Sequence, residues 1–189
     1  MNSEIFLRKV APGIEIRLFE PTDAEPVFAV VERNRAYLRE WLPWVDFTAS
    51  PEDVRRFILK VREQFDAGRG PQCAVWIDGS VAGSIGCHPI DWPNRHCSIG
   101  YWLEERYQGK GIMTRCCQNV LDYLFDDLGL HRVAIQCGVA NSRSCAIPER
   151  LGFRREGLVR EGEWVNDRWL DMVLWGMLEH DWRERRIPE

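Results

Sequence analysis

The strongest pattern in the sequence is a long amphipathic segment, residues 112–128, that directly follows a glycine-containing loop. Its apolar side chains recur at the spacing of one helix face, and they are Ile112, Met113, Cys116, Cys117, Val120, Leu121, Leu124, Phe125 and Leu128. A helix with so wide an apolar face is stable only when that face packs against other structure. Because Gly129 suits a helix end, the pattern predicts a helix over 112–128 that covers a sheet.

Extended segments occur on both sides of this helix. Alternating apolar residues and turn dipeptides such as Asp78-Gly79 predict strands, whereas apolar residues three and four apart predict helices. The predicted strands cover residues 14–19, 72–77, 81–89, 95–103, 131–139, 153–165 and 168–177, and the other predicted helices cover 23–42, 51–67 and 141–151. Residues 72–103 read as an antiparallel meander, and the whole order predicts a mixed α/β structure of the α+β kind, with helices layered on a sheet.

Length and composition limit the class of protein. The chain has 189 residues, of which 45% are hydrophobic and 29% charged, so we expect a single domain over residues 1–189. No apolar stretch approaches the roughly 20 residues that span a bilayer. Residues 1–10 also lack the features of a secretory signal. We therefore expect a cytoplasmic protein that does not bind a membrane.

Charge and cysteine content exclude two further kinds of site. A net charge of -4 argues against extended nucleic-acid binding, which needs a basic face, and favours a basic partner or a small amine. Seven cysteines are an odd number without a regular framework, which predicts reduced thiols. Because Cys87, His88, His96 and Cys97 do not have the spacing of zinc ligands, no metal site is predicted.

The loop before the long helix predicts an anion site. It reads Arg106-Tyr107-Gln108-Gly109-Lys110-Gly111 and joins a predicted strand to the helix. Glycines let phosphate oxygens approach the main chain, and helix N-termini present unpaired N–H groups. Glycine before a helix also has a purely structural explanation as a turn residue. The phosphate loop of ATPases is absent, and Thr114 stands where a dinucleotide-binding fingerprint needs glycine, which leaves the pattern Arg-x-x-Gly-x-Gly.

This pattern resembles the acyl-carrier loop of the GNAT superfamily of N-acetyltransferases. Later motifs are similar as well: Asn141-Ser142-Arg143-Ser144, Leu151-Gly152-Phe153, and the strand Ile99-Gly100-Tyr101-Trp102-Leu103. Trp41-Leu42-Pro43-Trp44 and Glu156-Gly157 are similar to the RimL and RimJ branch, which acetylates ribosomal-protein N-termini. The resemblance extends over nearly the whole chain.

The resemblance implies a fold and a co-substrate. The fold is a mostly antiparallel central sheet whose fourth and fifth strands, here residues 97–103 and 133–138, splay apart around the pantetheine arm of acetyl-CoA. The residues implied in binding acetyl-CoA are Ile99, Gly100, Tyr101, Arg106, Gln108, Gly109, Lys110, Gly111, Ile112, Asn141 and Ser144. Main-chain N–H groups near Ile99 and Tyr101 would stabilise charge on the thioester oxygen.

The resemblance also implies two catalytic residues. Ser144 would hydrogen-bond or protonate the departing sulfur, and Glu163 would order water or accept the proton of the amine. A solvent-exposed carboxylate is the alternative for Glu163, because a one-residue shift of strand register changes which acid faces the site, and Glu161 is then the fallback. Tyr101 and His96 are possible substitutes as acid or base.

Two residues near Ser144 complicate its interpretation. Ser144 and Asn141 both have an ordinary alternative as helix-capping residues. Pro148 lies inside the predicted helix over 141–151, where it removes a backbone donor and favours a kink.

The acceptor is an amine that the sequence does not identify. Trp41 and Trp44 flank a proline in the region that roofs the family's acceptor site, so they line the groove or pack the helices onto the sheet. The leading hypothesis is acetyl transfer to the N-terminal α-amine of a ribosomal or other protein. Two alternatives stay open, namely detoxification of a small amine or peptide-like antibiotic, and a non-catalytic CoA sensor. The C-terminal strand and the tryptophans leave a homodimer open as a possible assembly.

Overall fold

The computed structural model describes residues 7–185 and has one eight-stranded sheet at its centre. The strands are β1 (Leu7–Ala11), β2 (Ile14–Leu18), β3 (Gln72–Ile77), β4 (Ser80–Cys87), β5 (His96–Leu103), β6 (Arg132–Gly138), β7 (Arg154–Val165) and β8 (Arg168–Leu178). The expectation that the chain lacks a secretory signal concerns residues 1–10, of which 1–6 lie outside the described residues. Among residues 7–185, no helix is both long enough and apolar enough to cross a membrane.

The sheet order is β1-β2-β3-β4-β5-β6-β8-β7, and every neighbouring pair is antiparallel except β5 with β6. That parallel ladder begins at the pair His96 and Arg132 and ends at the pair Ser98 and Ala134. Both strands continue beyond it, to Leu103 and Gly138. The predicted mixed, mostly antiparallel fold with two splayed strands is therefore confirmed.

Helices cover both faces of the sheet and define two apolar clusters. They are α1 (Ala24–Arg33), α2 (Arg35–Arg39), α3 (Pro51–Asp66), α4 (Ile112–Asp122), α5 (Ser142–Arg150) and α6 (Glu179–Glu184). The predicted face of α4 is buried in one cluster with side chains of β2 to β6. The second cluster joins α1 and α3 to the opposite face through residues such as Ala74 and Val81. The alternation of β-strand side chains thus gives each layer of helices its own core.

Several elements differ from the sequence-based predictions. Strand β1 was not predicted, and the helix over 112–128 is regular only to Asp122, after which Tyr123–Asp127 forms a π-helical turn. The segment over 179–189 is highly charged, which predicts a solvated or frayed tail, but its described part forms α6. Trp182 is buried there against Phe125, with ring centroids 6.2 Å apart. Burial of this large side chain orders a segment whose charged composition indicated a solvated tail.

A buried carboxylate at the end of β5 connects the sheet to α1. Glu104 is only 4% exposed, and its oxygens accept hydrogen bonds from Arg33 Nε at 2.7 Å and Arg33 Nη2 at 2.9 Å. Arg106 Nε lies 3.1 Å from the same carboxylate. The next backbone N–H, that of Glu105, donates to Asn34 Oδ1 at 3.1 Å. These contacts fix where the chain leaves the sheet and begins the loop before α4.

Replacing Glu104 with alanine is expected to lower the free energy of unfolding by about 2–3 kcal/mol at pH 7, because paired charged hydrogen bonds are lost. The hydrogen bond from Arg33 lowers the pKa of Glu104, so this stabilisation is present above its ordinary value of 4.5. It is lost as the pH falls through the lower pKa of the folded state. Urea unfolding at several pH values measures it. The exposed neighbour variant Glu105→Ala is the control, and an equal loss in both variants would contradict this assignment.

Candidate functional site

A cavity of about 1280 Å³ occupies the space where β5 and β6 diverge. It exceeds the roughly 300–1,000 Å³ typical of a pocket for one small ligand. Its walls come from β5, the loop before α4, the first turn of α4, β6, α5 and the β7–β8 hairpin. The volume is therefore large enough for an extended ligand together with a second reactant.

The predicted anion loop forms one end of this cavity. Gly109 has φ +71° and Gly111 φ +69°, the left-handed region that favours glycine, and both residues line the cavity. Gly111 is the N-cap of α4, so it has no side chain with which to cap the N–H groups of the first helical turn. A β-carbon at either glycine would meet no atom within 4 Å. The glycines therefore serve the backbone conformation and an open approach to the helix N-terminus, not internal packing.

The cations at this end differ from those predicted. Neither Arg106 nor Lys110 lines the cavity: Arg106 pairs with Glu104, and both side chains lie over the Tyr107 ring. Two arginines of α5 line it instead. Arg143 Nη1 donates to Gln108 Oε1 at 2.8 Å, and Arg150 Nη1 donates to Thr114 Oγ1 at 3.0 Å.

These two arginines were not predicted as site residues. They are seven positions apart, which places them on one face of α5, but only the packing of α5 beside α4 brings that face to the loop. The predicted residue Gln108 lines the cavity and also contacts the Tyr37 hydroxyl, and Ile112 lines it at the start of α4.

The main chain of the diverging strands forms the middle of the cavity. In β5, the Ser98 carbonyl accepts from the His88 N–H at 2.8 Å, so even-numbered residues bond to β4. Hydrogen bonds alternate between the two sides of a strand. Consequently the backbone groups of Ile99 and Tyr101 point toward β6. The Ile99 N–H belongs to the last ladder pair, Ser98 with Ala134, so the groups beyond the ladder are the Ile99 carbonyl and both backbone groups of Tyr101, and Gly100 lines the cavity between them. An extended ligand can pair with this free strand edge.

A small hydroxyl and thiol cluster lies beside this edge. Ser144 Oγ is 3.4 Å from the Tyr101 hydroxyl and 3.3 Å from Cys137 Sγ, and all three residues line the cavity. Asn141 Oδ1 accepts from the Ser144 N–H at 3.1 Å, so Asn141 is the helix cap that its sequence position allowed. Burial raises the pKa of Tyr101 well above its ordinary value and that of Cys137 to about 12. Both groups therefore carry their protons at neutral pH.

The structure separates the acidic candidates. Glu163 lines the cavity and is half-buried, and this burial raises the pKa of its carboxyl group. Glu161 is exposed and has φ +49°, and it does not line the cavity. An irregularity of the β7–β8 ladder between Val159 and Glu163 produces this difference. His96 is also outside the cavity, with its Nε2 3.5 Å from an oxygen of Asp91.

Aromatic residues form the other end of the cavity. Trp41 and Trp44 both line it, and Trp44 also packs on Trp102 with ring centroids 6.0 Å apart. Arg168, from the start of β8, lies over the Trp41 ring at 5.9 Å and donates to the Glu40 carbonyl at 3.2 Å. The two tryptophans thus combine both roles considered from the sequence, since they line the groove and also pack against neighbouring elements.

The cavity has an anion-binding end and an aromatic end. Between them lie a free strand edge, groups able to donate protons and a half-buried carboxylate. In residues 7–185, no group of three or more histidine, cysteine, aspartate or glutamate side chains is placed to hold a metal ion. The seven cysteines are free thiols, and six of them are buried. The cavity is thus suited to a reaction between an extended anionic ligand and a basic group, with protons moved by side chains.

Comparisons with known proteins agree with this geometry. The model of the acetyltransferase (GNAT) domain family matches residues 14–154. The chain is 38% identical to a putative ribosomal N-acetyltransferase, YdaF, of Bacillus subtilis, over 94% of this chain and 98% of the relative. It is 27% identical to the ribosomal-protein-serine acetyltransferase of Escherichia coli, over 90% of this chain and 95% of that protein. A solved structure of RimL, a ribosomal alpha-N-protein acetyltransferase in complex with coenzyme A, has a TM-score of 0.88 and 25% identity, covering 91% and 97% of the two chains.

A side chain at Gly109 is expected to block the anion-binding end. We expect Gly109→Val to weaken binding of coenzyme A at least about 100-fold, because the added methyl groups occupy the space next to the first turn of α4. Titration calorimetry measures the affinity.

Gly129→Val is the matched control. Gly129 has φ +65° and open space around its β-carbon but lies outside the cavity, so both variants carry the same backbone strain. Equal affinities in the two variants would show that the loop does not bind the ligand.

Proposed function

The chain belongs to the GNAT acetyltransferase family, and we propose that it transfers the acetyl group of acetyl-CoA to the N-terminal α-amine of a protein. The observation that carries this proposal is the continuity of the cavity: one space runs from the anion loop, past Ser144, to Glu163 and the tryptophans. Acetyl-CoA supplies an activated acyl group as a thioester. The residues of this chain bind the donor, position the acceptor and move two protons.

The donor half of the cavity fits the chemistry of acetyl-CoA. A pyrophosphate needs N–H donors and cations, which the Gly109–Gly111 turn and the arginines Arg143 and Arg150 supply. A pantetheine arm has amide groups that pair with a strand edge, here the backbone of Ile99 and Tyr101. The Tyr101 N–H, the first one beyond the ladder on this side of β5, can stabilise negative charge on the thioester oxygen while the amine attacks.

The acceptor half favours an α-amine over a lysine side chain. An α-amine has a pKa near 8, whereas that of lysine is near 10.4, so the α-amine needs only a modest base. Glu163 is the half-buried carboxylate of the lining, to which Asp53 and Glu105 add two further acidic side chains. Trp41 and Trp44 offer flat apolar surfaces to the residues that follow the amine. The names of the two relatives, which refer to ribosomal proteins, point to the same class of acceptor.

The reaction is a direct transfer in which one bond forms and one breaks. The amine nitrogen attacks the thioester carbon, Glu163 accepts a proton from that nitrogen directly or through water, and the carbon–sulfur bond breaks. Ser144 donates a proton to the departing thiolate and regains one from solvent. The direct transfer needs no covalent intermediate on Cys137, and burial, which raises the pKa of Cys137 to about 12, favours its thiol over the reactive thiolate.

We also propose three properties of the protein as a whole. A single domain is supported by the continuous sheet, and a cytoplasmic location by the acetyl-CoA chemistry. A homodimer through the edge strand β7 is supported by exposed apolar side chains on the β7–β8 hairpin, which include Leu158, Val159, Trp164 and Trp169.

The test of the proposal is titration calorimetry with acetyl-CoA followed by thiol release in the same preparation. The acceptor panel contains ribosomal-protein N-terminal peptides, the same peptides with blocked α-amines but free lysines, and small amines such as polyamines and aminoglycosides. We expect binding and rapid thiol release only with free N-terminal peptides. Release only with small amines would reassign the acceptor, binding without any release would favour a CoA sensor, and absence of binding would reject the donor assignment.

We also expect a changed pH dependence on replacing the proposed base. Glu163→Gln should lower kcat by about 10–100-fold at pH 7, because a general base is removed. In the wild type the carboxylate must be ionised, so activity falls as the pH drops through the raised pKa of Glu163, which lies above its ordinary value of 4.5.

In the Glu163→Gln variant, the fall in activity at low pH that comes from protonation of Glu163 should disappear. The fall that comes from protonation of the amine substrate should remain. Glu161→Gln, at the exposed acid two positions away, is the control. Full activity of Glu163→Gln across the pH range would reject the assigned role.

A further inference from the structure

A proline in α5 leaves one backbone carbonyl without its helical partner. In a regular helix, the carbonyl of residue 144 accepts from the N–H of residue 148. That residue is Pro148, which has no N–H, although the helix runs from Ser142 to Arg150 and continues through it. The sequence therefore removes the usual hydrogen bond from Ser144, the residue that carries the proposed proton donor.

A side chain of strand β5 supplies the donor that α5 lacks. The Tyr101 hydroxyl, on β5, lies 3.2 Å from the carbonyl oxygen of Ser144. A carbonyl offers only lone pairs, so the phenol must be the donor in this contact. Together with Asn141, which binds the Ser144 N–H at 3.1 Å, Tyr101 holds Ser144 at both of its backbone polar groups.

The count of protons assigns different roles to the two hydroxyls. The phenol has one proton, and the Ser144 carbonyl accepts it. The Ser144 hydroxyl lies 3.4 Å from the phenol oxygen and 3.3 Å from Cys137 Sγ, which are weaker contacts. Its proton is therefore the one that can turn toward a sulfur atom in the cavity without breaking a backbone contact.

We propose that Tyr101 is a positioning residue that replaces the helix hydrogen bond lost at Pro148, and that it holds Ser144 in place without itself giving a proton to the thiolate. This inference rests on the proposed role of Ser144 as proton donor. It predicts that a second substitution can compensate for loss of the Tyr101 hydroxyl. A residue with an N–H at position 148 can donate the hydrogen bond to the Ser144 carbonyl in place of the phenol.

The test compares Tyr101→Phe with the double variant Tyr101→Phe/Pro148→Ala. Phenylalanine removes the hydroxyl but keeps the ring and the backbone, so we expect kcat to fall about tenfold while the KM for acetyl-CoA changes less than about twofold. Alanine at 148 restores the N–H donor, and kcat should recover to within about threefold of the wild type. In a Ser144→Ala background, Tyr101→Phe should add little, since it acts through Ser144.

The matched control differs from alanine by a single backbone group. Lactic acid incorporated at position 148 in the Tyr101→Phe background also removes the proline ring, but it places an ester oxygen where alanine has the N–H. We expect no recovery with lactic acid. Equal recovery with both residues, recovery with neither, or full activity of Tyr101→Phe alone would each overturn the proposal.

Hydrogen–deuterium exchange of α5 provides a readout that needs no acceptor. We expect exchange within residues 142–150 to be about tenfold faster in Tyr101→Phe, to return toward the wild-type rate with alanine at 148, and to stay fast with lactic acid. If the wild type transferred no acetyl group to any amine, the proposed function would fail, and exchange would still decide whether Tyr101 holds Ser144. Unchanged exchange in Tyr101→Phe would refute the positioning role by itself.

Discussion

The early end of the β5–β6 ladder is the constraint on which the rest of the structure depends. Parallel pairing stops at Ser98 and Ala134, while β5 remains bound to β4 and β6 to β8 on their outer sides. The sheet therefore stays continuous but opens along one side of each inner strand. Unpaired backbone groups in a protein interior are costly, so such an opening persists where a ligand or water can satisfy them. The cavity, the anion loop and α5 are all arranged around this opening.

The donor end of the cavity is lined by positive charge and the acceptor end by negative charge. At the donor end, Glu104 holds Arg33 and Arg106 outside the cavity, while the helix N-terminus and two arginines of α5 face it. At the acceptor end the lining includes Glu163, whose burial makes it a better proton acceptor than an exposed carboxylate. An anionic donor and a basic acceptor are thereby favoured at different ends of a single space.

Three residues of the α5 segment determine the arrangement at the centre of the cavity. Asn141 caps the helix, Ser144 presents a hydroxyl near Cys137, and Pro148 leaves the Ser144 carbonyl for Tyr101. Because Tyr101 belongs to β5, this contact also ties the helix to the strand whose free edge faces the donor. The position of a single hydroxyl is thus coupled to the opening of the sheet, which places proton transfer beside the site where the thioester is expected.

The sequence by itself determined the order of elements, the family and the glycine loop, because helical and strand periodicities are local and the left-handed turns at Gly109 and Gly111 need glycine. It did not determine which charges face the cavity. Arg106 was predicted there but turns to Glu104, and Arg143 and Arg150 take that place only through the packing of α5 beside α4. An irregularity of the β7–β8 ladder decides that Glu163 and not Glu161 faces the cavity. Burial of Trp182 explains why the C-terminal segment is ordered. Side-chain direction at such positions follows from contacts between residues distant in the chain, and only the tertiary structure decides those contacts.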